Sequence, residues 1–132
     1  MLPAGYLAPH GLKLRPSKYQ ELFVNTEEGQ QALVVFDVVT GQVLRKLSIP
    51  PAVHNFVFDA SGSRLYAFGV DGNVYGIDPD NGAVLARTKV NSPRGLTWTS
   101  DGKDLIASGK GELVLLNPDK LAITRQIPVQ AD

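Results

Sequence analysis

The stretch from Pro93 to Asn117, PRGLTWTSDGKDLIASGKGELVLLN, decides the fold. Leu96 and Trp98 stand two residues apart, the spacing that puts both on one face of a strand. The polar run Ser100-Asp101-Gly102-Lys103 breaks that strand, because Asp and Gly supply the backbone angles of a tight turn. Leu105-Ile106-Ala107 opens a second strand. After another turn, Leu113-Val114-Leu115-Leu116 is apolar at every position, the pattern of a strand covered on both faces.

The same pattern recurs twice towards the N-terminus. With Arg94 as an anchor, His54 and His10 mark the same place, 40 and 84 residues earlier. The pair Leu96 and Trp98 has counterparts in Phe56 and Phe58 and in Leu12 and Leu14. The turn is repeated as Asp59-Ala60-Ser61-Gly62 and as Arg15-Pro16-Ser17-Lys18. Second strands open at Leu65-Tyr66-Ala67 and Leu22-Phe23-Val24, and third strands run over Asn73–Asp78 and Ala32–Asp37. Each third strand ends on Asp37, Asp78 or Asn117, a turn follows, and Val43, Val84 or Ile123 marks a fourth strand closing at Ile49, Val90 or Val129. The chain is therefore expected to form one domain over 1–132, with repeats at about 9–50, 51–90 and 91–130. Short connections favour antiparallel meanders. No long segment carries a 3.6-residue apolar period, so helices should be scarce. Residues 1–8 read as a loose lead-in or a donated edge strand.

Composition narrows the functional classes. The 132 residues are 43% hydrophobic, enough for a packed core. Thirteen Lys and Arg balance thirteen Asp and Glu, which leaves no basic footprint for nucleic acid and no cationic face for an acidic membrane. There is no cysteine, so disulfides, thiolate metal sites and a Cys nucleophile are excluded. No apolar run approaches the ~18 residues that span a bilayer. The start, Met1 to Tyr6, lacks the charged and apolar regions of a secretory leader.

The third unit, from Pro93-Arg94-Gly95-Leu96 through Leu115-Leu116-Asn117 to Ile127-Pro128-Val129, resembles the YVTN-type β-propeller repeat and the haem d1-binding propeller of nitrite reductases. The middle unit, Asp71-Gly72-Asn73-Val74-Tyr75-Gly76-Ile77-Asp78 with Asn81-Gly82-Ala83-Val84-Leu85, is also similar to the quinoprotein propeller repeat, although Ala86 stands where that repeat carries a docking Trp. The resemblance covers about residues 9 to 130. It implies an all-β fold of propeller blades: three four-stranded antiparallel repeats forming a partial or oligomer-completed propeller. It also implies a periplasmic or extracellular setting, and haem d1 or a quinone as cofactor if this chain shares that chemistry. Otherwise no cofactor is expected.

Few residues invite a chemical role. His10, His54 and Arg94 open the first strand of each unit, the strand that lines the central channel in propellers. They are candidate ligand-binding residues at a channel mouth, able to hold an anion or cofactor carboxylates. The plainer reading is that they cap strand ends. Two His without a third ligand do not make a metal site. Asp37, Asp78 and Asn117 sit at a repeated turn position, which favours accepting turn amides over catalysis. Asp101 and Glu112 lack the intervening ligands of a calcium loop. No nucleophile elbow or converging acid and base is present, so no catalytic residue is assigned.

These readings point away from an enzyme and towards a module for protein interaction, scaffolding or ligand binding. The alternatives are a cofactor- or substrate-binding propeller within an enzyme or a cofactor-biosynthesis protein, and an isolated propeller fragment without activity. Propellers usually close with four to eight blades. Three blades leave two apolar faces open, to be covered by a second copy in a six-bladed ring or by the remaining blades of a longer protein.

Overall fold

The computed structural model describes residues 9–26, 32–49, 53–69 and 71–129, with the backbone alone at 9, 10, 26, 32, 53 and 54. The lead-in at residues 1–8 lies outside the described residues. Among the described residues twelve strands follow one another and no helix occurs. Blade 1 holds β1 (Pro9–Arg15), β2 (Lys18–Thr26), β3 (Ala32–Asp37) and β4 (Val43–Ser48). Blade 2 holds β5 (Val53–Phe58), β6 (Leu65–Gly69), β7 (Asn73–Ile77) and β8 (Val84–Lys89). Blade 3 holds β9 (Gly95–Trp98), β10 (Leu105–Gly109), β11 (Glu112–Leu116) and β12 (Ile123–Pro128). Each blade is a four-stranded sheet in which chain neighbours are sheet neighbours, paired antiparallel throughout.

Local chemistry sets the turns. Asp37 Oδ1 accepts the amides of Val39 and Thr40 at 2.8 and 3.1 Å. Asp78 Oδ1 accepts the Asp80 amide at 2.9 Å, and Asn117 Oδ1 that of Asp119 at 2.9 Å. The third-to-fourth strand turn is thus built three times on one side-chain acceptor, as the spacing predicts. The first turn of blade 1 differs from the other two. Arg15 and Lys18 are still paired across the ladder, so only Pro16 and Ser17 form the turn. Pro presets the first corner, and Ser17 takes φ 68° at the second, where glycine is preferred. Ser17→Gly should therefore raise stability by about 0.5–1 kcal/mol, measured as a higher urea midpoint.

Alternation gives each blade two apolar faces. Phe56, Phe58, Leu65, Tyr75 and Ile77 point towards blade 1 and meet Phe23, Leu33, Val35, Leu47 and Ile49. Phe23 and Phe58 meet edge to face at 5.0 Å, worth about 0.5–1.5 kcal/mol beyond area burial. From the opposite face of blade 2, Tyr66, Phe68 and Val74 pack with Leu105, Ala107, Val114 and Leu116 of blade 3. The continuous apolar run of β3 is explained by this geometry: Leu33 and Val35 serve one face, Val34 and Phe36 the other. β5 touches both β1 and β9, so the first strands line the inside of the arc.

The two ends of the arc differ. On the leading face of blade 1, Val24, Val34 and Phe36 are buried, whereas Leu12 and Leu14 are exposed at 59% and 45%. An evenly bare outer face is expected from three blades alone; here the middle strands are covered at Val24, Val34 and Phe36, while Leu12 and Leu14 on β1 and Val43 on β4 are open. On the trailing face of blade 3, Ile106, Leu113, Leu115 and Ile127 are half-buried.

Candidate functional site

The first-strand anchors share a backbone feature. Pro9 faces Thr26 and Gly11 faces Asn25, so His10 is the extra residue of a β-bulge. Val53 faces Gly69 and Asn55 faces Phe68, which makes His54 the extra residue of the same bulge in blade 2. Arg94 immediately precedes β9, is exposed, and its amide donates to the Ser108 carbonyl at 2.8 Å. The three positions therefore stand at the start of three neighbouring inner strands. The side chains of His10 and His54 lie outside the described residues. Among the described residues no group of three metal-ligating side chains occurs.

The strongest electrostatic feature is one that sequence reasoning missed. It lies at the opposite end of the strands, between blades 1 and 2. The Arg15 side chain is only 5% exposed. Its Nε donates to the Gly62 carbonyl at 2.8 Å, and its Nη1 donates to Glu21 at 3.0 Å and to Asp80 at 2.8 Å. Arg45 Nη2 also donates to Glu21 at 2.7 Å and to the Pro79 carbonyl at 2.9 Å, while its guanidinium lies 5.6 Å from the Phe23 ring centre. Two arginines from blade 1 thus clamp two turns of blade 2 around one shared carboxylate. The members are 6 to 65 residues apart in sequence, with no motif to join them.

Burial alone would raise the Glu21 pKa, but the hydrogen bonds from Arg45 and Arg15 outweigh it and hold the carboxyl below its ordinary 4.5. The hydrogen bond from Arg15 lowers that of Asp80. A depressed folded-state pKa stabilises the fold above the unfolded value, and that stability is lost as pH falls through the folded one. Melting temperature should therefore decline on acidification below about pH 4.5, and Glu21→Gln should flatten that decline.

Between blades 2 and 3 the joint is held by hydrogen bonds to backbone carbonyls, with no ion pair among the described residues. Trp98 Nε1 donates to the Phe58 carbonyl at 2.9 Å, and the indole meets the Tyr66 ring edge to face at 5.4 Å. Tyr66 Oη and Arg64 Nη1 both donate to the Pro118 carbonyl at 2.8 Å. Burial raises the Tyr66 pKa above its usual 10.0, which keeps the phenol a donor. An open cleft of about 470 Å³ lies here, lined by Tyr66, Trp98 and Leu85 together with Asp59, Arg64 and Asp119. Arg64 is already held by two carbonyls, those of Pro118 and Asp119. Its chemistry is that of a joint: donors and acceptors are spent on holding blades together.

No family model and no curated protein matches the sequence. Solved structures do match. Hydrazine synthase from Kuenenia stuttgartiensis covers 98% of this chain with a TM-score of 0.81 at 16% identity. Apo AztD from Citrobacter koseri covers 99% with 0.74 at 19%, and BamB from Moraxella catarrhalis covers 92% with 0.72 at 15%. In each case the match takes up 38% of the other chain. Identities this low speak for the fold alone: the three sheets are β-propeller blades, arranged as part of a propeller.

Proposed function

We propose that this chain is a non-enzymatic propeller module that works by binding, its arc completed to a six-bladed ring by a second copy. The observation that carries the reading is the open first strand of blade 1, beside middle strands already buried at Val24, Val34 and Phe36. Leu12 and Leu14 are exposed at positions where blade 2 buries Phe56 and Phe58 to 0% and 8%. Exposed leucines at blade-packing positions favour a further blade as neighbour. The charged side chains described at the joints serve blade packing, which leaves scaffolding or binding on the ring surface as the functional role. YVTN-like repeats fit such a module.

Light scattering on the purified chain tests this directly. The expected mass is twice 14.2 kDa. A folded, cooperatively melting monomer, or hydrolytic or redox turnover by the chain, counts against it.

A second reading has one observation in its favour: His10 and His54 fall on equivalent bulges, with Arg94 at the matching place in blade 3. Bulges re-aim side chains and recur beside binding sites. The proposal is a tetrapyrrole or quinone site lined by these three residues. Absorbance titration with haem or a quinone should then saturate, and His54→Ala should abolish saturation. A flat titration removes this reading.

A further inference from the structure

We infer that residues 1–8 fold back across the leading face of blade 1 and cap it, taking over Val24, Val34 and Phe36 the seat that a preceding blade takes on blades 2 and 3. The inference does not rest on the two-copy reading. It adds that any blade docking on this face must first displace the cap.

The two ends of the arc carry the comparison. On the trailing end, Leu115 faces Ile106 and Leu113 faces Ile127 across the ladder, yet all four side chains stay half-buried. That is the exposure of a bare sheet face. On the leading end, Val24, Val34 and Phe36 are only 1%, 0% and 3% exposed. Their neighbours across the ladder do not account for this. Leu12 beside Val24 is itself open, and Val34 faces Lys46, an exposed side chain. Side chains of one sheet stand next to each other, so full burial needs a layer above them. Among the described residues no apolar side chain outside blade 1 joins this cluster, and only Leu22 of the same blade packs against it. In blade 2 the same three places are Ala67, Tyr75 and Ile77, which blade 1 covers. The layer over blade 1 therefore comes from this chain and from outside the described residues.

Chemistry and reach select the segment. Met1-Leu2-Pro3-Ala4-Gly5-Tyr6-Leu7-Ala8 has no charged side chain and offers four large apolar ones, Met1, Leu2, Tyr6 and Leu7. Glu27-Glu28-Gly29-Gln30-Gln31 offers none. Residues 50–52 lead into blade 2, residue 70 lies within it, and residues 130–132 follow blade 3. Pro9 pairs with Thr26 at one corner of the leading face. From that corner Phe36 lies two strands across and four residues along, roughly 16 Å away. Eight extended residues reach about 26–29 Å. The segment thus spans all three side chains, and removing its apolar surface and theirs from water drives it onto the face.

The chain has no cysteine, so one added thiol reports on the cover. Val24→Cys suits the site, because blades 2 and 3 hold the smaller Ala67 and Ala107 at that place. In dilute solution its reaction with a thiol reagent should run roughly a hundredfold slower than that of Leu12→Cys, an open position. Adding Leu2→Ser, Tyr6→Ser and Leu7→Ser should remove most of that difference, while Leu115→Cys on the trailing face should keep its rate in the same background. If the serine chain loses its β-sheet circular dichroism spectrum, Tyr6→Cys and Leu7→Cys in otherwise unchanged chains replace it, and at least one should match the protection of Val24→Cys. Full reactivity of both overturns the cap. So does protection at Val24→Cys that the three serines leave in place. Where such protection fades on dilution, a second copy covers the face and the two-copy reading stands without the cap. A wild-type mass of one chain at every concentration, with protection lost to the serines, upholds the cap and removes the two-copy reading.

Discussion

Gly62→Ala should destabilise the chain by about 3–4 kcal/mol, read as a large fall in the urea midpoint. The glycine has φ 75°, a region that costs an L-residue about 1 kcal/mol. A methyl group there would lie 2.0 Å from the Pro16 carbonyl oxygen and 3.2 Å from Arg15 Cγ. The obstacle is backbone of the neighbouring blade, which can move only by opening the joint. The same shift would displace the Gly62 carbonyl from Arg15 Nε. Gly102 is the control that separates the causes. It holds the matching turn position in blade 3 with φ 72°, and a methyl group added there would meet nothing within 4 Å. Gly102→Ala should cost only the backbone contribution, about 1 kcal/mol. Equal losses at both glycines would show that crowding between blades 1 and 2 is not the cause.

Arg15→Met should cost about 2–4 kcal/mol. Methionine keeps most of the apolar stem, so the loss isolates the guanidinium. The Gly62 carbonyl loses its donor, and Glu21, 17% exposed at its side chain, keeps Arg45 as its remaining cation. The arm to Asp80 contributes little, because that carboxylate is 60% exposed and screened by water. Asp80→Asn should accordingly change stability by less than about 0.5 kcal/mol. Arg15→Lys should recover only part of the loss, since an ammonium lacks the planar fork that reaches a carbonyl and two carboxylates together. Urea unfolding of the four proteins checks the order, and a neutral Arg15→Met would show the clamp to be ornamental.

The blade pattern was legible because it is local. Leu96 and Trp98, or Phe56 and Phe58, announce a strand face through a spacing of two. Asp59-Ala60-Ser61-Gly62 and its relative at Ser100–Lys103 announce turns through residues whose backbone preferences act without tertiary help. The unbroken run at Leu113–Leu116 announced a sheet covered on both sides. Turn length in blade 1 was read too long, because the polarity of Arg15 and Lys18 resembles loop composition while both are paired in the ladder. The anchor alignment of His10, His54 and Arg94 was visible as spacing, whereas the bulge under the two histidines needed the pairing of the neighbouring strand.

From its residues alone this chain determined that it makes strands, where they turn, and that three equal sheets stack through apolar faces; all of these follow from nearest-neighbour backbone preferences and a period of two. Only the tertiary structure decided which charges meet. Arg15 reaches Gly62 and Asp80, 47 and 65 residues away, through the stacking of two blades. A salt bridge between side chains so distant in sequence leaves no period, because its geometry is created by the fold.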